Sequence, residues 1–351
     1  MANTAKGVII PQQAGVFRVV FLYVGQGDST LLVIPSANSY KYVLVDSHLD
    51  KKLGGIDIVA MLADLLDQKL DVFVNTHPHI DHLKGVKEVF DKVGIKEIWH
   101  SGHIPGGDHK ESYKDLKKII DEIGEKKTYL LKGSRQLNKL DDKEYDLGDV
   151  SFNVLSPAEY VIDEIADEKP EERYRRIHEQ CGVIKFIYGT EPKEILITGD
   201  SDSVAWKEHI TEYHKERLPS FLMTASHHGS KTFFRQNEDE EEYTDHLDMI
   251  SPSHLVVSAP KQSESKHGHP ADEAMTIYKK YVAESNVYHL GKNRECLIVD
   301  IYPSGEVELL FDRDLVAQYG LKNDDDEKGG KKEIVSTFSI VGTKIDNKPM
   351  G

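Results

Sequence analysis

One heptapeptide constrains this chain more than any other stretch: Thr76-His77-Pro78-His79-Ile80-Asp81-His82, directly after the apolar run at residues 71–75. A short run of β-branched and aromatic residues predicts a buried strand, so three imidazoles and a carboxylate lie on the loop where it ends. Pro78 favours extended backbone at His77 and excludes an ordinary helix interior. Imidazole nitrogens and carboxylate oxygens are ligands of borderline divalent metals such as zinc. The heptapeptide therefore predicts a metal site, with a second ion possible; the alternative is a histidine-rich polar turn.

Composition sets the broad class of protein. The chain has 351 residues, of which 39% are hydrophobic and 30% charged, as expected for a globular protein of one large domain or two ordinary ones. It contains no run of eighteen apolar residues and no signal-peptide pattern at its start, so we expect no membrane segment and a cytoplasmic location. The only cysteines are Cys181 and Cys296, which fits a reducing compartment and leaves nitrogen and oxygen as the metal ligands.

The net charge of the chain affects which kinds of partner it is expected to bind. A formal charge of −16 disfavours extensive contact with a polyanion, because like charges repel. Much of the acidity falls in runs at residues 163–172, 238–242 and 324–327, so a local basic groove remains compatible with it. These runs are also explained by solvated loops with no partner.

Several candidate ligands share one feature, which is that each follows a predicted strand. Functional groups collected at strand ends are how a sheet-based scaffold builds a site from loops held by a rigid core. A lone aspartate after threonine and glycine is ordinarily a turn residue or a helix cap, so the repetition is stronger evidence than any single member. The residues concerned are Asp46, the cluster from His77 to His82, Asp200 and His227.

These residues resemble a known family, the metallo-β-lactamase-fold hydrolases. Residues 77–82 match the family's HxHxDH motif, and His178 precedes an apolar run where the family places its third histidine. Asp200 resembles the carboxylate that bridges two metals, and Asp46 the structural aspartate near the site. The resemblance implies an α/β fold, an αββα sandwich of two mixed sheets packed between helices, with a two-metal site along one sheet edge.

Within that superfamily the chain is similar to the hydrolase domain of the ComEC-type DNA-uptake channel and its soluble relatives. The similar stretches are residues 24–29, 77–85, 197–200, 226–231 and 267–270. The long apolar segments of the channel are absent, so a channel role does not carry over. The expected organisation is an N-terminal lead at 1–14, a hydrolase domain at 15–312 with charged insertions near 159–176 and 235–245, and a polar linker and tail at 313–351.

The resemblance also implies a role for each residue. It assigns His77, His79 and His178 to metal one and Asp81, His82 and His227 to metal two, with Asp200 bridging. His227, His228 and His269 compete for the last ligand position, and His228 and His269 are also candidate proton donors. Asp46 and Asp28 are expected to support the ligands. Lys231 is either a point charge for a phosphate or an ordinary exposed lysine.

The implied activity is hydrolysis by a hydroxide that bridges two divalent ions and is oriented by Asp81, with zinc expected and manganese the alternative. We expect a phosphodiesterase or nuclease, whose partner is nucleic acid or a small phosphodiester. One alternative is a hydrolase of a cyclic nucleotide, a phosphocholine-like ester or a lactone. Another is an interaction module that uses metal only to hold its fold. His48, His100, His103 and His109 match no motif and are predicted to be surface or supporting residues.

Overall fold

The structure is a computed structural model that describes residues 4–37, 39–106 and 110–322. His109 and the tail beyond residue 322, including a short strand expected at 334–341, lie outside the described residues.

Over these ranges the strands form an eight-stranded mixed sheet, a six-stranded mixed sheet and a two-stranded ribbon. In chain order they are β1 (Phe17–Phe21), β2 (Thr30–Ser36), β3 (Ser39–Val45), β4 (Leu70–Asn75), β5 (Ile95–His100), β6 (Thr128–Leu130), β7 (Lys139–Leu140), β8 (Lys143–Glu144), β9 (Ser151–Ser156), β10 (Val183–Tyr188), β11 (Lys193–Ile197), β12 (Leu222–Thr224), β13 (His254–Val257), β14 (Val287–His289), β15 (Cys296–Ile301) and β16 (Val307–Asp312). The first sheet has the order β16-β15-β1-β2-β3-β4-β5-β6, the second β14-β13-β12-β11-β10-β9, and β7 pairs with β8.

The α-helices of the same ranges are α1 (Ala5–Ile9), α2 (Ile58–Leu65), α3 (Ile80–Leu83), α4 (Val86–Lys92), α5 (Lys110–Ile123), α6 (Glu159–Ala166), α7 (Pro170–Arg175), α8 (Thr211–His214), α9 (Asp245–Ile250), α10 (Asp272–Tyr281), α11 (Leu290–Asn293) and α12 (Asp314–Tyr319). A π-helical segment, Ala205–Ile210, leads into α8. None of the described helices is both long and apolar enough to cross a membrane.

The two large sheets pack face to face, and the alternation of side chains in the second sheet shows why. Successive residues of a strand point to opposite faces. In β11, Ile195 and Ile197 join the core between the sheets, whereas Leu196 joins a second core on the outer side of the sheet. Trp99 of β5 contacts Phe152 of β9 across the first core, with ring centroids 5.1 Å apart. The predicted fold class, two mixed sheets packed between helices, is confirmed.

Two blocks of parallel strands bring the polar loops together. Strands β3 to β6 run parallel in the first sheet, and β11 to β14 run parallel in the second. Parallel neighbours end at the same sheet edge, so the loops that follow them meet there. Asp46 directly follows β3, and the histidine cluster follows β4. Asp200 and His227 lie just beyond the ends of β11 and β12.

Both ends of the described chain pack on the first sheet's outer helices. Ala5 and Ile9 of α1 are buried, and so is Leu315 of α12. The Tyr319 hydroxyl contacts the Asp64 carboxylate of α2 at 2.5 Å. The domain boundaries stay a prediction.

The second core contains a buried histidine among aromatic rings. His246 of α9 is 0% exposed, stacks on Tyr243, and lies against Phe233 with ring centroids 4.2 Å apart. Within the described residues, neither of its ring nitrogens has a hydrogen-bond partner. Burial lowers the pKa of His246 to about 3, so the folded chain holds this ring neutral.

This gives a pH-dependent prediction. Below about pH 6.5 the unfolded chain protonates His246 while the folded chain does not, so this ring removes stability as pH falls. At pH 5 the loss amounts to about 2 kcal/mol. In His246→Phe, the decrease in unfolding free energy between pH 7 and pH 5 should shrink by about this amount, measured by urea titration in chelator. The exposed His267 supplies the control, His267→Phe, and an unchanged decrease in His246→Phe contradicts the account.

Candidate metal centre

Four side chains converge where β4 ends, and we call them the first group: His77, His79, His178 and Asp200. His79 Nδ1 lies 3.0 Å from His77 Nε2 and 3.2 Å from His178 Nε2. Asp200 Oδ2 lies 3.5 Å from His77 Nε2 and 3.9 Å from His178 Nε2. Three imidazole nitrogens and one carboxylate oxygen therefore face one point.

A second group lies beside the first and shares Asp200 with it: Asp81, His82, Asp200 and His228. Asp200 Oδ1 is 3.2 Å from His82 Nε2 and 3.7 Å from His228 Nε2. Asp81 Oδ2 is 3.4 Å from His228 Nε2. One Asp200 oxygen thus faces each group, as a carboxylate that bridges two cations requires.

The buried atoms of the two groups fit a bound cation. Both Asp200 oxygens and the Nε2 atoms of His82 and His228 are buried without a hydrogen-bond partner among the described residues. Buried polar atoms in proteins are almost always paired, because leaving one unpaired costs about 1–3 kcal/mol. Unpaired lone pairs that converge on one region have the donor set of a site for a divalent metal.

Asp46 holds the second group from behind. Asp46 is 1% exposed, and its oxygens accept hydrogen bonds from the Thr76 backbone N–H at 2.8 Å and the Thr76 hydroxyl at 2.6 Å. His82 Nδ1 contacts Asp46 Oδ2 at 2.7 Å, which leaves His82 Nε2 directed at Asp200. A carboxylate behind a ligand histidine fixes the tautomer and the direction of its ring.

His227 and His228 lie on a tight turn whose backbone is unusual. Both have positive φ angles, 49° and 56°, in the left-handed region that non-glycine residues seldom adopt. The preceding Ser226 fixes the turn, since its N–H donates to the Tyr278 hydroxyl at 3.1 Å and its hydroxyl donates to the Ser201 carbonyl at 2.6 Å. This backbone sends the two neighbouring imidazoles to different places.

The placement of His227 differs from the ligand assignment made from sequence. His227 Nε2 is 3.6 Å from Asp200 Oδ2, the oxygen of the first group, and its ring lies 4.3 Å from that of His178 between centroids. His228, instead of His227, joins Asp81 and His82. The assignment of individual ligands stays a prediction, and the structure provides its geometry.

The remaining predicted residues lie around the second group and the adjoining pocket. Asp28 Oδ1 is 3.5 Å from His228 Nδ1. The His269 ring is 5.3 Å from that of His227 between centroids and lines a pocket of about 310 Å³ together with Lys231. The Lys231 ammonium, however, pairs with the Glu238 carboxylate and lies 3.7 Å from that of Glu273. Its positive charge is therefore already balanced.

The pKa values of the site's imidazoles are shifted in opposite directions. Burial lowers the pKa of His77 well below its ordinary value, and burial also lowers the pKa of His178 and of His227 to about 3. For His82, burial opposes the charged form, but the Asp200 and Asp46 carboxylates outweigh burial and raise its pKa well above normal. A cation that enters the second group therefore competes with a proton on His82.

Sequence reasoning missed several supporting groups. The His227 Nδ1 atom contacts the Thr232 hydroxyl at 2.9 Å, and His228 Nδ1 donates to the Ser258 carbonyl at 2.9 Å. The buried Cys181 thiol accepts the Asp200 backbone N–H at 3.2 Å. Thr232 directly follows residues 226–231, one of the stretches similar to the ComEC-type domain, so its position in the sequence could have indicated that it supports the site. Nothing local marks Ser258.

A sandwich with paired histidine and aspartate groups at the ends of its parallel strands defines a metal-binding protein of the metallohydrolase class. The family model described as the metallo-beta-lactamase superfamily matches residues 22–233, and the chain belongs to that superfamily. Members of the superfamily are metal-dependent hydrolases, and this chain contains the candidate metal site described above. Comparison with curated proteins gives no match.

Solved structures also resemble the chain. YhfI from Bacillus subtilis, a metallo-beta-lactamase fold protein, is 13% identical, covering 78% of this chain and 95% of its own, with a TM-score of 0.42. A diphosphatase from the PhnP family is 12% identical, covering 81% and 98%, with a TM-score of 0.40. Igni18, a metallo hydrolase from Ignicoccus hospitalis, is 14% identical, covering 76% and 94%, also with a TM-score of 0.40. The family assignment rests on the family model.

The role of Asp46 can be tested without metal. Asp46→Ala leaves the Thr76 donors and His82 Nδ1 unpaired in a buried place, so the free energy of unfolding in chelator should fall by about 3 kcal/mol or more. Asp46→Asn keeps one acceptor oxygen and tolerates the positive φ of 57°, so its loss should be smaller. Urea denaturation measures both. An Asp46→Ala variant as stable as the unsubstituted chain rules out this role.

Proposed function

We propose that the protein is a two-metal-dependent phosphodiesterase, with nucleic acid as the leading substrate class. The proposal depends mainly on one observation, which is that the two carboxylate oxygens of Asp200 face two separate groups of ligand atoms. A single structural metal is saturated by four protein ligands and needs no second group. The shared carboxylate therefore supports catalysis over a purely structural role.

Zinc is the metal we propose, with manganese as the alternative. Tetrahedral zinc has bonds to nitrogen of about 2.0–2.1 Å, which separates its ligand atoms by about 3.3 Å. The nitrogens of the first group lie 3.0 and 3.2 Å apart, in agreement with that spacing. The donors are imidazoles and carboxylates, which both metals accept.

The chemistry follows from the positions of the side chains. Two divalent cations at these groups would lower the pKa of a bound water and offset the negative charge on the oxygens of the attacked phosphate. Asp81, with 24% of its side chain exposed, can orient the attacking water from the open side of the second group. His269 lines the pocket next to His227, and we assign it as proton donor to the leaving oxygen, although burial lowers its pKa to about 4. We place His228 among the ligands, although it too was predicted as a donor.

The choice of phosphodiester rests on the sequence. Residues 226–231 and 267–270 resemble the ComEC-type hydrolase domain, and Ser230, Lys231 and residues 267–269 line one pocket near His227. A phosphodiester has non-bridging oxygens that suit two adjacent cations and a leaving oxygen that needs a proton. This supports a nuclease or a related phosphodiesterase.

The test is hydrolysis by the purified chain. With zinc or manganese restored after chelation, it should hydrolyse bis(p-nitrophenyl) phosphate and single-stranded nucleic acid. Asp81→Ala and Asp200→Ala should each lower the rate by more than about 100-fold, since even groups behind metal ligands are worth 10–100-fold. The exposed Asp91 of α4 provides the control, and Asp91→Ala should retain the activity. If no phosphodiester is hydrolysed while two ions are bound, the proposal fails.

A second candidate is a hydrolase of a small molecule, such as a cyclic nucleotide, a phosphocholine-like ester or a lactone. The balanced charge of Lys231 and the pocket of about 310 Å³ favour it, because neither suits a long polyanion. Binding to polynucleotide separates the two candidates. A nuclease should bind with an affinity that falls steeply with salt, and a small-molecule enzyme should show almost no binding.

A further inference from the structure

The segment near residues 159–176, predicted to be a charged insertion, ends two positions before His178. Arg176, which follows α7, forms a two-pronged ion pair with Glu179: its Nε donates to Glu179 Oε2 at 2.6 Å, and its Nη2 donates to Glu179 Oε1. The same guanidinium donates to Glu168 and lies 3.4 Å from the Glu164 carboxylate of α6. His178 is therefore flanked by residues fixed to the insertion.

Glu179 also connects this segment to the element that follows Asp200. Its carboxylate, on a residue 7% exposed, accepts a hydrogen bond from His209 Nε2 at 3.0 Å. His209 belongs to the π-helical segment, and its Nδ1 accepts from the Tyr160 hydroxyl of α6 at 2.6 Å. One buried carboxylate thus connects the His178 loop, α6 and the helix after Asp200.

His178 needs such support more than its neighbours do. Three other histidines of the site have Nδ1 held from behind by an oxygen at 2.7–2.9 Å. The pairs are His82 with Asp46, His227 with Thr232, and His228 with Ser258. Among the described residues no hydrogen bond reaches His178 Nδ1, and the aromatic rings next to its own are those of His77, His79 and His227. With no such oxygen behind it, His178 depends more than they do on its main chain for its position.

The residue after Glu179 fixes the loop from the other side. Gln180 Nε2 donates to the Ser101 carbonyl at 3.2 Å, and His103 Nδ1 contacts Gln180 Oε1 at 2.8 Å. Both residues are buried next to β5. The loop is thus held at two consecutive positions after His178, by an ion pair and by an amide.

We propose that Glu179, clamped by Arg176 and His209, is a positioning residue that holds His178 in the first metal group, and that the charged insertion exists in part to build this clamp. The inference rests on the proposed metal-dependent function. A carboxylate that supports a ligand histidine through hydrogen bonds is worth about 10–100-fold in metal affinity. Here the support passes through the main chain instead of the imidazole Nδ1.

The test is calorimetric titration of the chelator-treated full chain with zinc alone. The unsubstituted chain should bind two ions. In Glu179→Gln, affinity at the first group should fall by about 10–100-fold while the second group keeps its affinity. Arg176→Lys, which keeps the charge and loses the two-pronged pair, should give a smaller loss at the same group.

A matched control lies elsewhere in the chain. Arg18 and Asp300 form a similar two-pronged pair, at 2.6 and 2.5 Å, between β1 and β15, neither of which supplies a candidate ligand. Asp300→Asn should leave both zinc affinities unchanged. His79→Ala identifies the first group, and its loss should not add to that of Glu179→Gln, because coupled residues give non-additive effects. Urea unfolding in chelator checks that each variant is folded.

The outcomes are distinct. The inference is overturned if Glu179→Gln binds zinc with normal affinity at both groups. It is also overturned if Asp300→Asn loses as much zinc affinity as Glu179→Gln, because the loss then comes from a general loosening of the fold. An unsubstituted chain that binds no zinc overturns the inference, and one that binds neither zinc nor manganese overturns the proposed function as well. A chain that binds two ions but hydrolyses no phosphodiester overturns the proposed function alone, and the titrations still decide the role of Glu179.

Discussion

The buried Asp200 carboxylate is the interaction on which the rest of the site depends. It is 0% exposed, and its two oxygens face two groups of imidazoles without a hydrogen bond to either. Burial raises the pKa of this carboxyl, but the surrounding histidines, His82 foremost, outweigh burial and hold it well below normal. An ionised carboxylate in such a place is costly unless it is paired with positive charge. Protons on nearby imidazoles supply that charge in the metal-free chain, and divalent cations supply it when bound.

The fold is arranged to keep this carboxylate and its partners in place. Two blocks of parallel strands end at one edge, so the loops after β3, β4, β11 and β12 meet there. Each loop is then held by groups behind it: Asp46 behind His82, the Ser226 network behind the turn of His227 and His228, and Cys181 behind the Asp200 backbone. The positive φ angles of the turn indicate local strain that these contacts offset. Rigid support of this kind is what a preorganised metal site needs.

Much of this was visible in the sequence because the signals are local. The apolar run before His77 predicts strand β4, and the runs before Asp46 and Asp200 predict β3 and β11; all three strands are present. What the sequence leaves open depends on distant contacts. His227 and His228 are adjacent and chemically identical, and only the turn geometry, set by Ser226 and Tyr278 across 52 positions, separates their directions. The clamp on Glu179 joins residues 30 positions apart, and the charges that form it resemble a solvated surface run.

The central claim is that Asp200 joins two metal sites, and anomalous scattering from crystals of the zinc-loaded chain tests it most directly. The account predicts two peaks per chain on opposite sides of Asp200, one among His77, His79 and His178 and the other among Asp81, His82 and His228. A single peak with four protein ligands, and none on the other side of Asp200, contradicts it.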